Sequence, residues 1–206
     1  MRITSIPALE TRRDELVAWR RDLHAHPELA FEETRTAAFV AAELKRAGLD
    51  VAEGIATTGV VATLCTGEGP CIGLRADMDA LPIQETNRFA HRSRFDGRMH
   101  ACGHDGHTVM LLAAAQHLAS RARFKGTARF IFQPGEEAAG GAAAMIRDGL
   151  FERFPVDRVF GMHNWPGIPA GRFAMRIGSF MASIDCFDGV IEGRGAHGAL
   201  PHLGVD

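Results

Sequence analysis

Hydrophobic positions along the chain follow two patterns, one typical of helices and the other typical of strands. Apolar residues recur at helical spacing in four segments, residues 10–24, 31–47, 105–119 and 139–148. Short apolar runs predict four strands, at residues 60–65, 71–76, 127–132 and 156–162. Strands that alternate with helices in this way favour an α/β sheet covered on both faces.

The segment boundaries add detail to this α/β prediction. A turn-rich link joins the runs at 60–65 and 71–76, so we expect these two strands to be neighbours in the sheet. Residues 80–100 are polar and rich in arginine, which predicts a surface loop. Asp105 is predicted to be the N-cap of the helix that follows it. Near the end of the chain, residues 184–191 predict a further strand.

The composition is that of an ordinary globular protein and argues against several classes of partner. The chain has 206 residues, of which 46% are hydrophobic and 23% are charged. A net charge of −2 gives no reason to expect nucleic acid or an anionic membrane. The longest apolar run, residues 109–115, is too short to span a membrane, and the N-terminus lacks the apolar segment of a signal peptide. The four cysteines lack disulfide-like spacing, which favours a reducing compartment, most simply the cytoplasm.

Polar residues with metal-binding chemistry follow three of the predicted strands. Asp77 comes directly after the second strand, Glu136 and Glu137 come shortly after the third, and His163 follows the fourth. In α/β sheets, ligands bind at the carboxyl ends of the strands. We therefore expect these side chains to contribute to a single site.

Cys102 and His104 lie just before the predicted helix at 105–119. A thiolate and an imidazole are ligands for a borderline divalent metal, and a metal aided by a helix N-terminus stabilises a thiolate. The alternative is that Cys102 is a small buried residue and the neighbouring histidines line a surface. Together with the later clusters, the pair favours a metal site.

Glu136 and Glu137 are neighbours in a loop that follows a strand. One carboxylate of such a pair can bind a metal, while the other takes a proton from a water and delivers it to a leaving nitrogen. A solvated acidic pair is the alternative. The preceding Gln-Pro-Gly turn and the strand before it favour the functional interpretation.

The remaining candidates are more ambiguous when each is taken alone. A lone histidine such as His163 is more often a structural hydrogen-bonding group, but its position after a strand favours a ligand. Asp77 is either a carboxylate that fixes a ligand or a metal-bound water, or a polar loop residue. His24 and His26 look like a metal pair but end a helix, which favours a structural role. His107 is interpreted as a helix-face residue and not as a ligand.

Four ordered motifs resemble those of the hippurate hydrolases, the bacterial N-acyl-amino-acid amidohydrolases and the plant auxin-conjugate hydrolases. They are RADMDALP at 75–82, MHACGHDGHT at 99–108, FQPGEE at 132–137 and GMHNWP at 161–166. This family is related to the dinuclear aminoacylases and carboxypeptidases. The resemblance implies a zinc-peptidase-like catalytic domain, with a mixed central sheet and helices on both faces.

The same resemblance implies a metal-dependent amidohydrolase that cleaves N-acyl amino acids into a carboxylic acid and a free amino acid. Two divalent ions, of zinc, manganese, cobalt or nickel, are implied as cofactors, with Cys102 bridging them. Glu136 would act as general base and then as general acid, and Asp77 would support the site. The implied metal ligands are Cys102, His104, Glu137 and His163.

The resemblance also divides the chain into two parts. Residues 1–181 would form the N-terminal part of the catalytic domain, and residues 182–206 the beginning of a small α+β lid or dimerisation domain. His197, in the second part, would bind the substrate or polarise its carbonyl, often across a homodimer interface.

Three departures from the family pattern are visible. Gly135 stands where alanine is usual and Ala196 where glycine is usual, and we expect little effect from either. The family's chains are about twice as long and supply a further metal-binding histidine beyond Asp206. We therefore expect residues 1–206 alone to fold poorly or bind metal weakly. The alternative function is that of a non-catalytic fragment that at most binds metal or a partner chain.

Overall fold

The helices lie close to the predicted segments. A computed structural model describes residues 6–137, 140–182 and 187–205. The segment predicted to be helical at 31–47 becomes helical only at Thr34, because Phe31 has a positive φ of 63° that an α-helix does not accommodate. In these described residues the α-helices are α1 (Pro7–Glu10), α2 (Arg13–Ala25), α3 (Thr34–Arg46), α4 (His104–Arg121), α5 (Gly141–Arg147) and α6 (Leu150–Arg153).

A five-stranded mixed sheet lies at the centre of the fold, with the strand order β1-β2-β4-β3-β5. The pairs β1–β2 and β2–β4 are antiparallel, whereas β3 is parallel to both β4 and β5. The carboxyl ends of β3, β4 and β5 therefore meet at one edge of the sheet. The strands are β1 (Asp50–Ile55), β2 (Gly59–Cys65), β3 (Cys71–Asp77), β4 (Thr127–Gln133) and β5 (Arg158–Gly161).

The prediction that the strands at 60–65 and 71–76 are neighbours is wrong, because β4 lies between them. Thr127 of β4 pairs with Cys65 on one side and with Cys71 on the other. The link between β2 and β3 crosses the start of β4, where the Thr127 amide donates a hydrogen bond to the Pro70 carbonyl over 3.0 Å. Closeness in sequence therefore did not predict that β4, whose Phe130 and Phe132 are fully buried, lies between β2 and β3.

Both faces of the sheet are covered, as predicted. One apolar cluster contains Phe130 and Phe132 of β4 together with Leu44 of α3 and Leu112 of α4. A second cluster on the opposite face contains Ile131 of β4 packed with Met145 of α5 and Leu150 of α6. The alternation of Phe130, Ile131 and Phe132 between the clusters follows from the two-residue period of a strand.

Helix α4 begins one residue earlier than predicted, and Asp105 is not its N-cap. Gly103 is the N-cap, with a φ of +87°, and a Cβ at this position would lie 2.7 Å from Asn164 Oδ1. Only glycine allows this conformation and this close approach without strain. The Asp105 carboxylate is instead bound to His24 and Arg20.

Two further segments differ from the sequence prediction. β1 was not predicted, since only Ile55 at its end is fully buried and the strand has no continuous apolar run. Of the strand predicted at 184–191, residues 184–186 lie outside the described residues and 187–191 form no strand. The loop at 80–100 has no helix, as expected, although Glu85 and His100 within it are buried.

The chain divides into two compact units, Met1–Pro166 and Gly167–Asp206. The first contains the sheet and all six helices named above. In the second, a 3₁₀ helix spans Pro201–Leu203 and an isolated bridge joins Arg194 to Val205. The domain boundary at 181/182 stays a prediction. Among the described residues, no helix is long and apolar enough to cross a membrane.

Candidate metal centre

The residues predicted from strand ends lie together at one edge of the sheet. Cys102, His104 and His163 each offer a ligand atom within 4.8 Å of the others, and Cys102 Sγ lies 3.3 Å from His163 Nε2. His104, Glu136 and Glu137 form a second such group. His104 belongs to both groups, so the five side chains form one cluster.

His104 is held so that one ring nitrogen faces the cluster. Its Nδ1 lies 3.2 Å from Asp79 Oδ1, and the side chain is fully buried. Its Nε2 is buried without a hydrogen-bond partner among the described residues, 3.6 Å from Glu137 Oε1. A histidine that donates one ring N–H to a carboxylate and presents the other nitrogen has the arrangement of a metal ligand.

The charged and polar groups of the cluster would be stabilised by a bound cation. Burial, together with the Glu137 carboxylate, raises the pKa of the Cys102 thiol to about 12. Burial also raises the pKa of Glu137, whose Oε1 is buried without a partner in the described part of the chain. A divalent ion would stabilise the thiolate and the carboxylate and would satisfy His104 Nε2. These sulfur, nitrogen and oxygen donors fit a borderline metal such as zinc, cobalt, nickel or manganese.

Asp77 lies behind the cluster and contacts His107. Its Oδ1 lies 2.6 Å from His107 Nδ1, and its Oδ2 accepts a hydrogen bond from Arg75 over 2.7 Å. Burial would raise the pKa of Asp77, but the hydrogen bond from His107 and the charge of Arg75 outweigh it and hold the pKa well below its usual range. Asp77 is therefore an ionised carboxylate that orients a neighbouring imidazole.

His107 connects Asp77 to the loop that carries His163. Its Nε2 accepts a hydrogen bond from the Asn164 backbone amide over 3.0 Å, and the residue is buried. Both of its ring nitrogens therefore have hydrogen-bond partners, although His107 also forms, with Asp77 and His104, a third group of possible ligand atoms within 4.8 Å of one another. That His107 is not a ligand stays a prediction. Its position inside the site was not predicted from the sequence. Its spacing of three residues from His104 on a helix is the signal that both lie on one face.

Asp79 is a second residue whose role the sequence left open. Its Oδ1 contacts His104 Nδ1, and its Oδ2 accepts a hydrogen bond from the Glu137 backbone amide over 2.9 Å. One carboxylate thus orients two candidate ligands. The sequence motif contains two aspartates, and pattern alone does not separate the one that contacts His107 from the one that contacts His104.

Glu136 differs from its neighbours in exposure. Its side chain is 42% exposed, and its Oε2 lies 3.9 Å from His104 Nε2. A carboxylate that is open to solvent beside a set of metal donors can exchange protons with water and with a substrate.

His197 lies in the compact unit 167–206, where its Nδ1 accepts a hydrogen bond from the Ala199 amide over 3.2 Å. Its role stays a prediction. The structural interpretation of His24 and His26 agrees with their contacts. His24 places Nδ1 3.0 Å from Asp105 and Nε2 3.2 Å from Glu85, and His26 Nδ1 lies 2.7 Å from the Asp22 carbonyl.

Comparison with known proteins connects this geometry to a family. Residues 73–201 match the peptidase family M20/M25/M40. The chain is 48% identical over 202 residues to a hippurate hydrolase of Campylobacter jejuni, covering 98% of this chain and 52% of that protein. It is 43% identical over 197 residues to an N-acyl-L-amino acid amidohydrolase of Geobacillus stearothermophilus, covering 94% and 53%.

A solved structure confirms the predicted fold class. A dinuclear metal-binding peptidase of the M20 family from Bacillus subtilis is 43% identical, with a TM-score of 0.73. The similarity covers 78% of this chain and 45% of that one. The chain spans about half the length of the curated relatives it matches.

Proposed function

Because this chain belongs to the peptidase family M20/M25/M40, we propose that it forms part of a metal-dependent amidohydrolase that cleaves N-acyl amino acids. The substrates would be small molecules such as N-benzoyl amino acids, and the products a carboxylic acid and a free amino acid. The observation that carries the proposal is the position of the exposed Glu136 carboxylate beside His104 Nε2 and Glu137 Oε1, which are buried without a hydrogen-bond partner in the part of the chain that the structure describes. The cytoplasmic location favoured by the cysteine pattern belongs to the same proposal.

The proposed metal ligands converge at the carboxyl edge of the sheet. Two divalent ions would be held there, with the thiolate of Cys102 among their ligands. When bound, such ions lower the pKa of a water towards ~7 and polarise an amide carbonyl. The proposed ligands are Cys102, His104, Glu137 and His163.

The protein's own residues would handle the protons and the substrate. Glu136 would take a proton from the attacking water and then deliver it to the departing nitrogen, so that the amine leaves neutral. Asp77 would act indirectly, by orienting His107 and through it the segment at Asn164. His197 would bind the substrate or polarise its carbonyl, across a homodimer interface formed by the residues from 182 onwards.

The test compares Glu136→Gln with wild type in the protein expressed at its natural length. Metal content and hydrolysis of N-benzoylglycine would be measured together. Glu136→Gln keeps the size of the side chain but removes the base, so we expect kcat to fall roughly 10²–10⁴-fold with metal content unchanged.

Glu68→Gln is the matched control, since Glu68 is exposed in the turn between β2 and β3. It should leave both kcat and metal content unchanged. A Glu136→Gln variant that keeps its metal and hydrolyses at the wild-type rate would refute the role of Glu136. A wild-type protein that holds no metal and releases no benzoate would refute the proposed function.

A further inference from the structure

Glu33 is a fully buried carboxylate outside the proposed set of ligands. Its Oε1 accepts a hydrogen bond from the Gly135 backbone amide over 2.8 Å, and its Oε2 accepts one from the Thr58 hydroxyl over 2.5 Å. Gly135 directly precedes Glu136 in the chain. A charge-bearing group at the start of α3 thus contacts the loop that carries the proposed general base.

The Glu33 side chain is not needed to cap its own helix. Glu28 accepts hydrogen bonds from the Arg35 and Thr36 amides, over 2.9 and 2.8 Å, and so satisfies the first turn of α3. Glu33 contributes only its backbone carbonyl to the helix, through the Ala37 amide. Its carboxylate is left to bind Gly135 and Thr58.

The loop at Glu136 is held on both sides by carboxylates. The Gly135 amide binds Glu33 on one side, and the Glu137 amide binds Asp79 on the other, over 2.9 Å. Glu136 lies between these two anchored amides. Residues 134–137 belong to no helix or strand, so these two hydrogen bonds determine the position of the Glu136 backbone, from which its side chain extends.

Gly135 also shows how closely the loop fits its surroundings. Its φ is +57°, and a Cβ there would lie 3.1 Å from the Phe31 ring. The Gly141 amide binds the Gly135 carbonyl over 2.9 Å. A shift of Gly135 would therefore disturb both the start of α5 and the position of Glu136.

Burying Glu33 carries a cost, which the contacts to the loop offset. Burial raises the pKa of Glu33, and the hydrogen bonds from Thr58 and from the Gly135 amide act in the opposite direction. A buried carboxylate without such donors would be strongly unfavourable.

We propose that Glu33 is a positioning residue, which fixes the Glu136 side chain through its hydrogen bond to the Gly135 amide. This inference rests on the proposed function, in which Glu136 is the general base. It adds a residue more than one hundred positions away in sequence whose substitution should change kcat without contact with substrate or metal.

Three substitutions of Glu33 separate the effect of side-chain length on kcat from the effect of side-chain charge. Glu33→Gln keeps the length, and its carbonyl can accept from Gly135 while its amide donates to Thr58, so kcat should stay within about threefold of wild type. Glu33→Asp keeps the charge but is one methylene shorter, and Glu33→Ala removes the group. Both should lower kcat roughly 10–100-fold with little change in KM.

The matched control is Glu28→Ala, which truncates a glutamate whose side chain binds the same helix. The Glu28 backbone carbonyl, which accepts a hydrogen bond from the Ala80 amide, is retained in this variant. It should lower Tm and leave kcat unchanged. The proposal is refuted if Glu33→Asp and Glu33→Gln have equal kcat values, or if Glu33→Asp lowers Tm alone as the control does. Because Glu33→Asp and Glu33→Gln both retain a polar group, this comparison holds even if Glu33→Ala does not fold.

Hydrogen exchange on the metal-free protein gives a readout that does not depend on activity. Glu33→Asp should speed exchange of the Gly135 amide by roughly tenfold or more, whereas Glu33→Gln should not. Unchanged Gly135 exchange in Glu33→Asp would overturn the inference. If no variant or wild type hydrolyses the substrate but Gly135 exchange responds as expected, the positioning contact stands and the proposed function fails.

Discussion

The half-buried His24 and the fully buried His104, both close to the start of α4, have similar neighbours but different geometry. His24 lies between Asp105 and Glu85, and each of its ring nitrogens is within 3.2 Å of a carboxylate oxygen. His104 also lies among carboxylates, but within the described residues only its Nδ1 has a hydrogen-bond partner, Asp79. Acidic neighbours alone therefore do not indicate a metal site. The distinguishing feature of His104 is that a hydrogen bond at one ring nitrogen fixes the ring, while the other ring nitrogen faces the cluster without a partner in the described residues.

The largest expected effect comes from replacing each histidine by alanine. His104→Ala removes the member shared by the three candidate donor groups of the described residues, so we expect loss of stoichiometric metal and a fall in kcat of more than about 100-fold. His24→Ala should leave metal content unchanged, because His24 belongs to no candidate ligand group among the described residues. Metal analysis and N-benzoylglycine hydrolysis on the purified variants measure both effects.

Loss of metal from both variants would contradict the proposed difference between the two histidines, since it would mean that His24 supports metal binding as strongly as His104 does. Retention of metal by His104→Ala would show that the free nitrogen is not a ligand. A melting curve for each variant, recorded without metal, separates a lost ligand from a lost fold.

A smaller effect is expected at Asp79, which orients His104 without being a proposed ligand. Asp79→Asn keeps the size of the side chain but replaces one carboxylate oxygen by an NH₂ group, which cannot accept a hydrogen bond. Only one of the two contacts, to His104 or to the Glu137 amide, can then be kept as it is. We expect metal affinity to fall roughly 10–100-fold, as is typical when the partner of a ligating histidine is changed. Calorimetric titration with Zn²⁺ measures this affinity. An affinity equal to that of wild type would mean that Asp79 does not determine the orientation of His104.

The position of the site was predictable because it depends on local order along the chain. Each candidate ligand follows a strand or precedes a helix, and parallel strands bring their carboxyl ends together. Cys102, His104, Glu137 and His163 lie together for this reason. The residues that contact the loop at Glu136 were not predictable from the sequence, since Asp79 binds the Glu137 amide 58 positions away and Glu33 binds the Gly135 amide 102 positions away.

The sheet shows the same limit. Apolar runs located β2, β3 and β4, but their order depends on which strand buries both faces, and no local pattern encodes that. β1 was missed because it lies at the edge of the sheet, where an acidic and partly exposed segment can still pair with β2.

The smallest expected effect is the pH dependence of the stability that His24 contributes. The hydrogen bond between His24 and Asp105 is the main cause of the raised pKa of His24, and burial acts in the opposite direction. A folded-state pKa above the unfolded value of ~6.5 means that the stabilisation is fully present below that pH and is lost as the pH rises through the folded pKa. His24→Ala should therefore lower the free energy of unfolding by about 1–3 kcal/mol near pH ~6 and by less at higher pH. Neighbouring His100 does not mask this trend, because burial lowers its pKa to about 4 and keeps it neutral throughout. Urea unfolding of wild type and His24→Ala across this pH range measures the difference. A destabilisation that stays constant with pH would mean that His24 acts as a neutral hydrogen-bonding group and that its contacts to Asp105 and Glu85 do not depend on its charge.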